Sequence, residues 1–233
     1  MFYLYNTKMK NIVIIPARGG SKRLPNKNIL LLGGIPLLAH SILYAQKNKQ
    51  YIDEVYVSTD DTAIKEMALQ FGAKVIDRPK SISGDLEPTV SALKQCLLTI
   101  NDSSIENIIL LQATNPLRSE NILKEAFEIY QKGKYDSLFT VSRNKEKLGK
   151  IINNRFIPFN YEMGQRSQDL EPLYYENGLL YISKAKLILD NKIWSADVFP
   201  MQINHIFATV DIDTLDDFEY AEYLYQQHIT SNS

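Results

Sequence analysis

Short apolar runs alternate along the chain with longer segments whose apolar residues recur at helical spacing. The first run, residues 11–15 (NIVII), stops at Pro16. Continuous runs of this kind are typical of strands that are buried on both faces of a parallel sheet. Further strands are predicted at 54–58, 73–77, 107–112, 137–142 and 178–183. The alternation predicts an α/β fold, in which helices cross over between the strands of a mostly parallel, three-layer sheet.

Capping residues and glycines mark the ends of the predicted helices. Asp60 and Asp61 offer side-chain oxygens at the start of a helix that Gly72 closes. Thr214 and Asp217 form a capping-box pattern, and Ser119 is predicted to cap another helix. The predicted helices cover 35–46, 61–71, 88–100, 119–132, 184–191 and a final segment from about 214, with a last strand that ends near Asp211.

The alternation breaks at residues 144–177, which we call the insert. These 34 residues are polar and aromatic and show little periodicity. A stretch of this length is unlike an ordinary connection, so it predicts a lid, an arm or a dimerisation element. The α/β core then comprises residues 9–143 and 178–233. Because Met9 directly precedes the first strand and resembles an alternative start, residues 1–8 are predicted to be a dispensable extension.

The side-chain charges nearly cancel over the whole chain. There are 26 Lys and Arg residues against 27 Asp and Glu residues, a formal net charge of −1. A dedicated nucleic-acid-binding domain is usually strongly basic, so this balance argues against one. The distribution is nevertheless uneven. Residues 18–27 carry four cations and no acid, whereas residues 211–222 carry six acids and no base, so the first segment suits anions and the second suits cations.

Cysteine usage and hydropathy restrict the class of protein further. Cys96 is the only cysteine, which excludes an intramolecular disulfide and a multi-cysteine zinc site. The early apolar run at 12–15 is too short for a signal peptide or a membrane span. We therefore expect a soluble, cytoplasmic protein with no membrane partner.

Residues 16–28 (PARGGSKRLPNKN), which we call the basic loop, leave the carboxyl end of the first predicted strand. Open α/β sheets bind their ligands at this edge. Gly19 and Gly20 would let backbone N–H groups approach a phosphate, and the cations of the loop would neutralise it. The spacing fits neither the dinucleotide fingerprint nor the Walker A loop, which argues against an NAD(P)-dependent oxidoreductase. A basic surface turn remains the alternative.

Asp211 and Asp213 alternate with apolar residues near the predicted end of the last strand. Period-two alternation places both carboxylates on one face, where they could hold Mg²⁺ together with its waters. Helix capping explains the pair equally well when it is taken alone. The basic loop favours the metal, because Mg²⁺ usually bridges carboxylates and substrate phosphates.

Taken together, the motifs resemble those of the CMP-sialate synthetases (N-acylneuraminate cytidylyltransferases). The resemblance implies a Rossmann-like nucleotidyltransferase sheet and a Mg²⁺-dependent reaction of CTP with a nine-carbon 2-keto sugar acid, which gives the CMP-sugar and pyrophosphate. It also implies a homodimer whose exchanged insert reaches the partner's active site. The motifs are, in chain order, PARGGSKRLPNKN (16–28), STDD (58–61), DRP (77–79), LLQATNPLR (110–118), RSQDLEPLYYENGLLYIS (166–183) and DIDT (211–214).

The resemblance also implies a role for individual residues. Catalytic roles fall on Arg18, Lys22, Lys27 and Asp211, nucleotide binding on Arg18, Gly19, Ser21, Lys22, Lys27, Asn28, Arg78 and Thr89, and metal binding on Asp211 and Asp213. Sugar binding falls on Gln112, Thr114, Asn115, Lys150, Arg166, Gln168, Asn177, Gly178 and Tyr181. Thr89 and Asn115 stand where many relatives carry serine. Ile193 and Trp194 match positions that line the partner's sugar pocket in some members, although ordinary packing explains them at least as well.

The identity of the sugar stays open at this level. N-acetylneuraminate, its deaminated analogue KDN, legionaminate and pseudaminate are all candidates, and pseudaminate ranks lower because its enzymes tend to carry Ala-Gly at the position of Asn177-Gly178. Enzymes for the eight-carbon acid Kdo usually read QGDEP where this chain reads QATNP (112–116). A non-catalytic nucleotide-binding or assembly protein on the same fold is the alternative of another class. It would be expected to lose the loop cations or the aspartate pair, and both are intact.

Overall fold

A seven-stranded sheet carries the fold in this computed structural model, which describes residues 8–232 and the side chains of residues 8–228. The predicted extension, residues 1–8, lies outside the described residues except for Lys8. The strands are β1 (Lys10–Pro16), β2 (Leu31–Leu32), β3 (Ile35–Pro36), β4 (Glu54–Thr59), β5 (Lys74–Asp77), β6 (Ile105–Leu110), β7 (Ser137–Arg143), β8 (Gly149–Ile152), β9 (Arg155–Pro158), β10 (Tyr174–Lys184) and β11 (Val198–Gln202).

Six α-helices and four short 3₁₀ helices connect the strands in the described part of the chain. The α-helices are α1 (Leu37–Lys47), α2 (Thr62–Gln70), α3 (Thr89–Ile100), α4 (Ile122–Gly133), α5 (Ala185–Leu189) and α6 (Leu215–Asn232). The 3₁₀ helices are Lys27–Ile29, Lys80–Ile82, Ser167–Asp169 and Ile206–Thr209. Across residues 8–232, none of the helices has the length and hydropathy that crossing a membrane requires.

The central sheet has the strand order β11-β7-β10-β6-β1-β4-β5. Within it, β10 is antiparallel to β6 and β7, and the other neighbouring pairs are parallel. This confirms the predicted mostly parallel α/β sheet. The polypeptide leaves β1, β4 and β6 at the same edge, so the basic loop, Thr59 and Leu111 lie close together.

Both faces of β1 are buried, which explains its continuous apolar sequence. Val13 and Ile15 pack against α1 and α4 on one face. Ile12 and Ile14 pack against α3 and α5 on the other face, together with the buried Cys96. Burial raises the pKa of the Cys96 thiol to about 11, which fits a structural thiol rather than a nucleophile. The helices therefore cover the sheet on both sides, as the three-layer prediction requires.

Two of the predicted caps are present. The Asp61 carboxylate accepts a hydrogen bond from the Ile64 N–H (3.0 Å) at the start of α2. Thr214 and Asp217 bond reciprocally before α6, where the Asp217 carboxylate accepts from the Thr214 N–H (2.8 Å) and the Thr214 hydroxyl accepts from the Asp217 N–H (3.3 Å). These bonds satisfy N–H groups that a helix start leaves unpaired.

Two predicted boundaries are wrong. Ser119 does not cap α4, because the helix begins at Ile122 and the preceding Asn121 makes no side-chain cap. No strand ends near Asp211 either. β11 stops at Gln202, a 3₁₀ helix follows, and residues 210–213 form an extended loop outside the sheet. The Ile212 N–H donates to the Thr114 carbonyl (2.8 Å), so the alternating pattern reflects a loop that is bonded to the segment after β6.

The insert contains more regular structure than its sequence predicts. β8 and β9 pair as an antiparallel hairpin. Asn153 and Asn154 connect them with φ values of 51° and 60°, the pattern of a type I′ turn, in which asparagine is favoured. The last residues of the insert, from Tyr174, already belong to β10.

Candidate functional site

A cleft opens at the carboxyl edge of the central sheet, bounded by the basic loop, the start of α3 and the segment after β6. It encloses about 200 Å³. Many of the residues expected to bind nucleotide or sugar line it together. They are Arg18, Ser21, Lys27, Asn28, Arg78, Thr89, Gln112 and Thr114. Residues from distant parts of the sequence therefore converge on one pocket.

Lys27 connects the basic loop to the acidic segment 185 residues later in the chain. Its ammonium donates to the Ile212 carbonyl (2.8 Å) and to the Asp213 carboxylate (2.8 Å), and the residue is only 9% exposed. Arg23 contacts the other oxygen of the same carboxylate at 2.6 Å. The two oppositely charged segments of the sequence thus meet at Lys27, which lines the cleft.

The rest of the basic loop is also held in place. The Asn28 amide, itself buried, donates to the Arg18 carbonyl (3.0 Å) and closes the loop on itself. Gly20 and Asn26 take positive φ values of 66° and 56°, which glycine and asparagine adopt more readily than other residues. Bonds within the chain and these backbone conformations therefore define the shape of the loop.

Gly19 serves close packing in this structure. Its N–H donates to the Asp60 carboxylate (2.9 Å), so it bonds to the protein rather than pointing freely at a ligand. A Cβ at this position would come within 2.9 Å of Asp61. Gly19 consequently lets the basic loop lie against the start of α2. Its predicted contact with the nucleotide stays a prediction.

The first two cations of the basic loop contact a carboxylate that the sequence interpretation had not selected. Arg18 contacts Asp85 at 2.5 Å, and Lys22 contacts its other oxygen at 2.6 Å. Lys22 and Arg18 together hold the pKa of the Asp85 carboxyl below its usual value. Asp85 lies in the connection between β5 and α3, where no capping pattern or motif marked it.

Arg78 is a buried cation that donates to the neutral oxygens of Ser58. Its guanidinium donates to the Ser58 hydroxyl (3.0 Å) and to the Ser58 carbonyl (2.7 Å). Burial lowers its pKa. No carboxylate of residues 8–228 forms an ion pair with it. A desolvated cation with free donors attracts an anion or a base carbonyl that enters the cleft.

Asp211 and Asp213 lie on either side of the buried Ile212. Burial raises the pKa of the Asp211 carboxyl, the Thr114 hydroxyl opposes this effect, and the neighbouring Asp213 raises the pKa further. A bound cation would relieve this repulsion. Within the described side chains, no group of three or more potential ligands is preassembled. Two carboxylates fit Mg²⁺, since that ion typically takes its other ligands from water and substrate phosphates.

Asn115, Asn177 and Gly178 form a buried junction behind the cleft. The Asn115 amide donates to the carbonyls of Val210 (2.7 Å) and Asn177 (3.1 Å). Gly178 has a φ of 75°, and a Cβ there would come within 2.6 Å of the Asn115 side-chain oxygen. These contacts fix the segment after β6 and the middle of β10 relative to residues 210–213. Direct sugar binding by the three residues stays a prediction.

The predicted residues of the insert do not line this cleft. Arg166 makes a two-point ion pair with Asp169 (2.7 and 3.0 Å), and Lys150 lies over the Phe159 ring at 5.5 Å. Gln168 is exposed in the 3₁₀ helix of the insert. The structure of one chain therefore leaves these three residues apart from the cleft, so their predicted contacts with sugar would require a second chain.

Three further predicted residues, Tyr181 in β10 and Ile193 and Trp194 after α5, do not line the cleft. Tyr181 is buried, and its hydroxyl donates to Glu176 (3.0 Å); burial raises its pKa, and so does the Glu176 charge. Trp194 packs on Phe139 with ring centroids 6.0 Å apart but remains 47% exposed. Ile193 packs against the core on the α3 face. Packing accounts for the contacts of Ile193, while a large part of Trp194 stays uncovered.

Arg118 is a second residue that sequence interpretation had not selected. It is buried and donates to the carbonyls of Leu179 (2.7 Å) and Gln112 (2.9 Å) and to the Ser41 hydroxyl (2.9 Å). Burial lowers its pKa to about 10. By tying Gln112 to β10 and α1, Arg118 positions one wall of the cleft. It ends the motif LLQATNPLR, so a basic residue after an apolar segment was the available signal.

Comparison with known sequences agrees with this geometry. A family model described as "Cytidylyltransferase" matches residues 12–233. Pseudaminic acid cytidylyltransferase of Campylobacter jejuni (strain 81-176) is 35% identical over 94% of this chain and 97% of its own length. CMP-N,N'-diacetyllegionaminic acid synthase of Legionella pneumophila is 33% identical over 93% and 96%. N-acylneuraminate cytidylyltransferase of Streptococcus agalactiae (strain NEM316) is 35% identical over 90% of this chain, which spans about half (52%) of that relative.

Solved structures show the same architecture at low sequence identity. CMP:2-keto-3-deoxy-manno-octonic acid synthetase, solved in complex with CTP, superposes with a TM-score of 0.71 at 18% identity, over 94% of this chain and 99% of the other. A 4-diphosphocytidyl-2C-methyl-D-erythritol synthase from Anaerococcus prevotii gives 0.67 at 15% identity, with the same coverage. Since the family model covers nearly the whole sequence and several relatives exceed 30% identity, the chain belongs to the cytidylyltransferase family of nucleotidyltransferase enzymes.

Proposed function

We propose that the protein transfers a cytidylyl group from CTP to the anomeric hydroxyl of a nine-carbon 2-keto sugar acid. The sugar oxygen attacks the α-phosphorus and forms the new P–O bond. The bond to the bridging oxygen breaks, pyrophosphate leaves with that electron pair, and the hydroxyl proton passes to solvent or a nearby base. The observation that carries the proposal is the Lys27 bridge, which joins the basic loop to Asp213 at the cleft wall that Lys27 forms.

The residues of the cleft suit each part of CTP. Arg18, Lys22 and Lys27 offer cations for the triphosphate, and charge neutralisation with precise positioning supplies most of the catalysis of phosphoryl-type transfer. Ser21 adds a hydroxyl on the same wall. Arg78, Asn28 and Thr89 line the inner part of the cleft, where they could contact the ribose and the base. Because Arg78 is desolvated, a base carbonyl or phosphate oxygen would replace its missing anionic partner.

We propose Mg²⁺ as the metal, held by Asp211 and Asp213 on the protein side. When bound, Mg²⁺ supplies positive charge that neutralises the phosphate oxygens. Asp213 is already paired with Lys27 and Arg23, whereas Asp211 has no ion pair with a described residue and carries a raised pKa. Asp211 is accordingly the carboxylate that gains most from a bound cation.

The relatives guide the choice of sugar. Three of them name pseudaminic, N-acylneuraminic and N,N'-diacetyllegionaminic acids, at nearly equal identities of 33–35%. Identity therefore gives no reason to rank pseudaminate below the others. All are nine-carbon 2-keto sugar acids. Gln112 and Thr114 line the cleft, and the Thr114 hydroxyl bonds to Asp211, so we propose that the sugar lies against this wall. We propose this class of acceptor, with KDN as a further member.

We further propose that a homodimer completes the site and that the insert acts as an exchanged arm. Large apolar residues on the insert remain exposed in one chain, and large exposed apolar patches mark interaction surfaces. They include Ile151, Phe156, Phe159 and Met163. A second chain that covers this surface could place Lys150, Arg166 and Gln168 near its own cleft, where the Arg166 guanidinium suits a sugar carboxylate.

The proposed compartment is the cytoplasm, where CTP is made and a free thiol such as Cys96 stays reduced.

Pyrophosphate release tests the proposed function. The protein is incubated with CTP and Mg²⁺ and with each sugar acid in turn, namely N-acetylneuraminate, KDN, N,N'-diacetyllegionaminate, pseudaminate and Kdo. We expect release with at least one nine-carbon acid, loss of release in a chelator, and much slower release with ATP, GTP or UTP. Absence of release with every acid would contradict the proposal, and release with Kdo alone would contradict the acceptor class.

A further inference from the structure

Asp85 places its carboxylate directly on the part of the basic loop that is proposed to meet the triphosphate. One oxygen lies 2.5 Å from the Arg18 guanidinium, and the other lies 2.6 Å from the Lys22 ammonium. Each cation therefore contacts a separate oxygen, much as two cations would share one phosphate group. Asp85 also lines the cleft. Its position is that of an anion in the binding site.

The arrangement accounts for the charge balance of the loop. Among residues 8–228, Arg18 and Lys22 form ion pairs with Asp85, while Arg23 and Lys27 form ion pairs with Asp213. The two aspartates differ in their surroundings. Asp213 belongs to a loop pinned to β6, whereas residues 84–88 are all exposed. The contacts of Asp85 are therefore the ones that can be broken at little cost.

The segment around Asp85 has few bonds to lose. Leu86 is 99% exposed, and the bonds nearby are local, from the Glu87 N–H to the Gly84 carbonyl (3.3 Å) and from the Ser83 hydroxyl to the Pro79 carbonyl (3.0 Å). Exposed ion pairs contribute little stability, because water solvates the separated charges well. A polyanion that brings several charges to Arg18 and Lys22 would outcompete a single carboxylate.

We propose that Asp85 is an internal competitor for the polyphosphate. It occupies Arg18 and Lys22 in the free enzyme, yields them to the triphosphate of CTP, and returns to them as pyrophosphate departs. The inference rests on the proposed function, because it assigns the triphosphate to the basic loop. Its consequence is specific. Asp85 weakens the binding of ligands that carry a polyphosphate, including the leaving pyrophosphate, and has no effect on a nucleoside without phosphates.

A simple structural role for Asp85 predicts the opposite result. If the carboxylate served only to hold the loop in its binding conformation, its removal would loosen Arg18 and Lys22 and weaken polyphosphate binding. The competitor role predicts tighter binding after removal. The sign of the change in the dissociation constant therefore separates the two roles.

The test is titration calorimetry with pyrophosphate and inorganic triphosphate, at one fixed salt concentration, on the wild-type protein and on Asp85→Asn, Asp85→Ala and Glu87→Gln. Glu87 lies two residues further along the same segment, and no ion pair joins it to a cation among the described residues. Glu87→Gln thus removes the same charge without removing the contact. We expect both Asp85 variants to bind the probes about three- to tenfold more tightly, and Glu87→Gln to change binding by less than about twofold.

Each other outcome overturns a stated part of the proposal. Unchanged or weaker binding by both Asp85 variants excludes the competitor role. An equal gain in Glu87→Gln shows that the general field of the cleft, rather than the contact, controls affinity. If wild-type protein binds neither probe, the proposed triphosphate site itself fails. Cytidine inhibition of turnover should be unchanged in the Asp85 variants, and the inhibition constant of pyrophosphate should fall by the same factor as its dissociation constant.

Discussion

The basic loop and the insert are both expected to bind substrate, yet they are built in opposite ways. The loop enters the core: Lys27 and Asn28 are 9% and 7% exposed and bond to neighbouring segments. The hairpin of the insert is exposed along both β8 and β9. The basic loop is held by contacts within a single chain, whereas the insert keeps an exposed apolar surface.

The contacts at the base of the insert show what its own chain does fix. The Asn160 amide accepts from the Leu148 N–H (2.7 Å) and donates to the Glu146 carbonyl (3.0 Å), and Leu170 is buried. These bonds set the shape of the insert and leave its apolar tip free. Nucleotide binding should therefore be a property of each chain, whereas sugar binding should depend on association. The following predictions test this division, beginning with the largest effect.

Lys27→Ala should lower kcat/KM for CTP by about 10³-fold, because a buried cation that organises both charged segments is lost. The Ile212 carbonyl also loses its donor. Steady-state pyrophosphate release measures the change, and the melting temperature checks that the fold survives. Lys184→Ala is the matched control. Lys184 pairs with Asp136 at the surface (2.8 Å), near the opposite edge of the sheet, and its loss should leave kcat/KM within about twofold. Near-normal turnover in Lys27→Ala would contradict a catalytic role for the Lys27 bridge.

Arg166→Ala should lower kcat/KM for the sugar acid by about 10²-fold, mainly because the KM for the sugar acid rises, while the KM for CTP changes little. Mixing this variant with Lys27→Ala tests the proposed exchange directly. Each mixed dimer would have one site with an intact basic loop from one chain and an intact insert from the other, so random mixing should restore about a quarter of wild-type activity. If the mixture were only as active as the two variants measured separately, the basic loop and the insert of one site would come from the same chain, which would contradict the exchange.

The same division explains what the sequence could predict. The continuous apolar runs identified the strands of the central sheet, because burial on both faces leaves little room for polar residues in a strand such as β1. The basic loop was predictable because its cations follow a strand end. Asp85 carried no such signal, because a single acid in a surface connection acquires its role only when the fold brings it against Arg18 and Lys22.

The errors have physical causes of the same kind. Val210 to Asp213 alternate like a strand, but the pattern comes from a loop whose Ile212 N–H is fixed to Thr114. The hairpin of the insert was missed because its strands are exposed and lack a buried periodic face. Asn153-Asn154 was its available signal, since adjacent asparagines favour the two positive φ values of a type I′ turn. Local sequence patterns therefore predicted local structure, whereas contacts between distant residues determine the features that the patterns missed.

Ile151→Ser combined with Phe156→Ser should weaken association about tenfold to hundredfold, since both side chains are large, apolar and exposed on the hairpin and a buried interface would lose their contacts. Sedimentation equilibrium measures the mass, which for the wild-type protein should be about twice 26.7 kDa. Leu69→Ser with Leu98→Ser is the matched control, because these exposed leucines lie on α2 and α3. CTP binding should persist in the double hairpin variant. A wild-type protein that is monomeric and fully active would contradict the proposed dimer.

Asp61→Ala tests whether the start of α2 helps to hold the basic loop, and it has the smallest expected effect on turnover. The loss of the α2 cap should lower the free energy of unfolding by about 1 kcal/mol, and turnover should fall by no more than about threefold, because Lys27 and Asn28 still hold the loop. Asn160→Ala removes the corresponding clamp from the insert and leaves the Leu148 N–H without its acceptor. Denaturant unfolding and the two KM values measure both variants. If the division is right, Asp61→Ala leaves the KM for the sugar acid unchanged, while Asn160→Ala raises it without changing the KM for CTP. If both variants changed the KM for CTP and the KM for the sugar acid equally, the basic loop and the insert would act on the same substrates within one chain. The two regions would then differ only in how exposed they are.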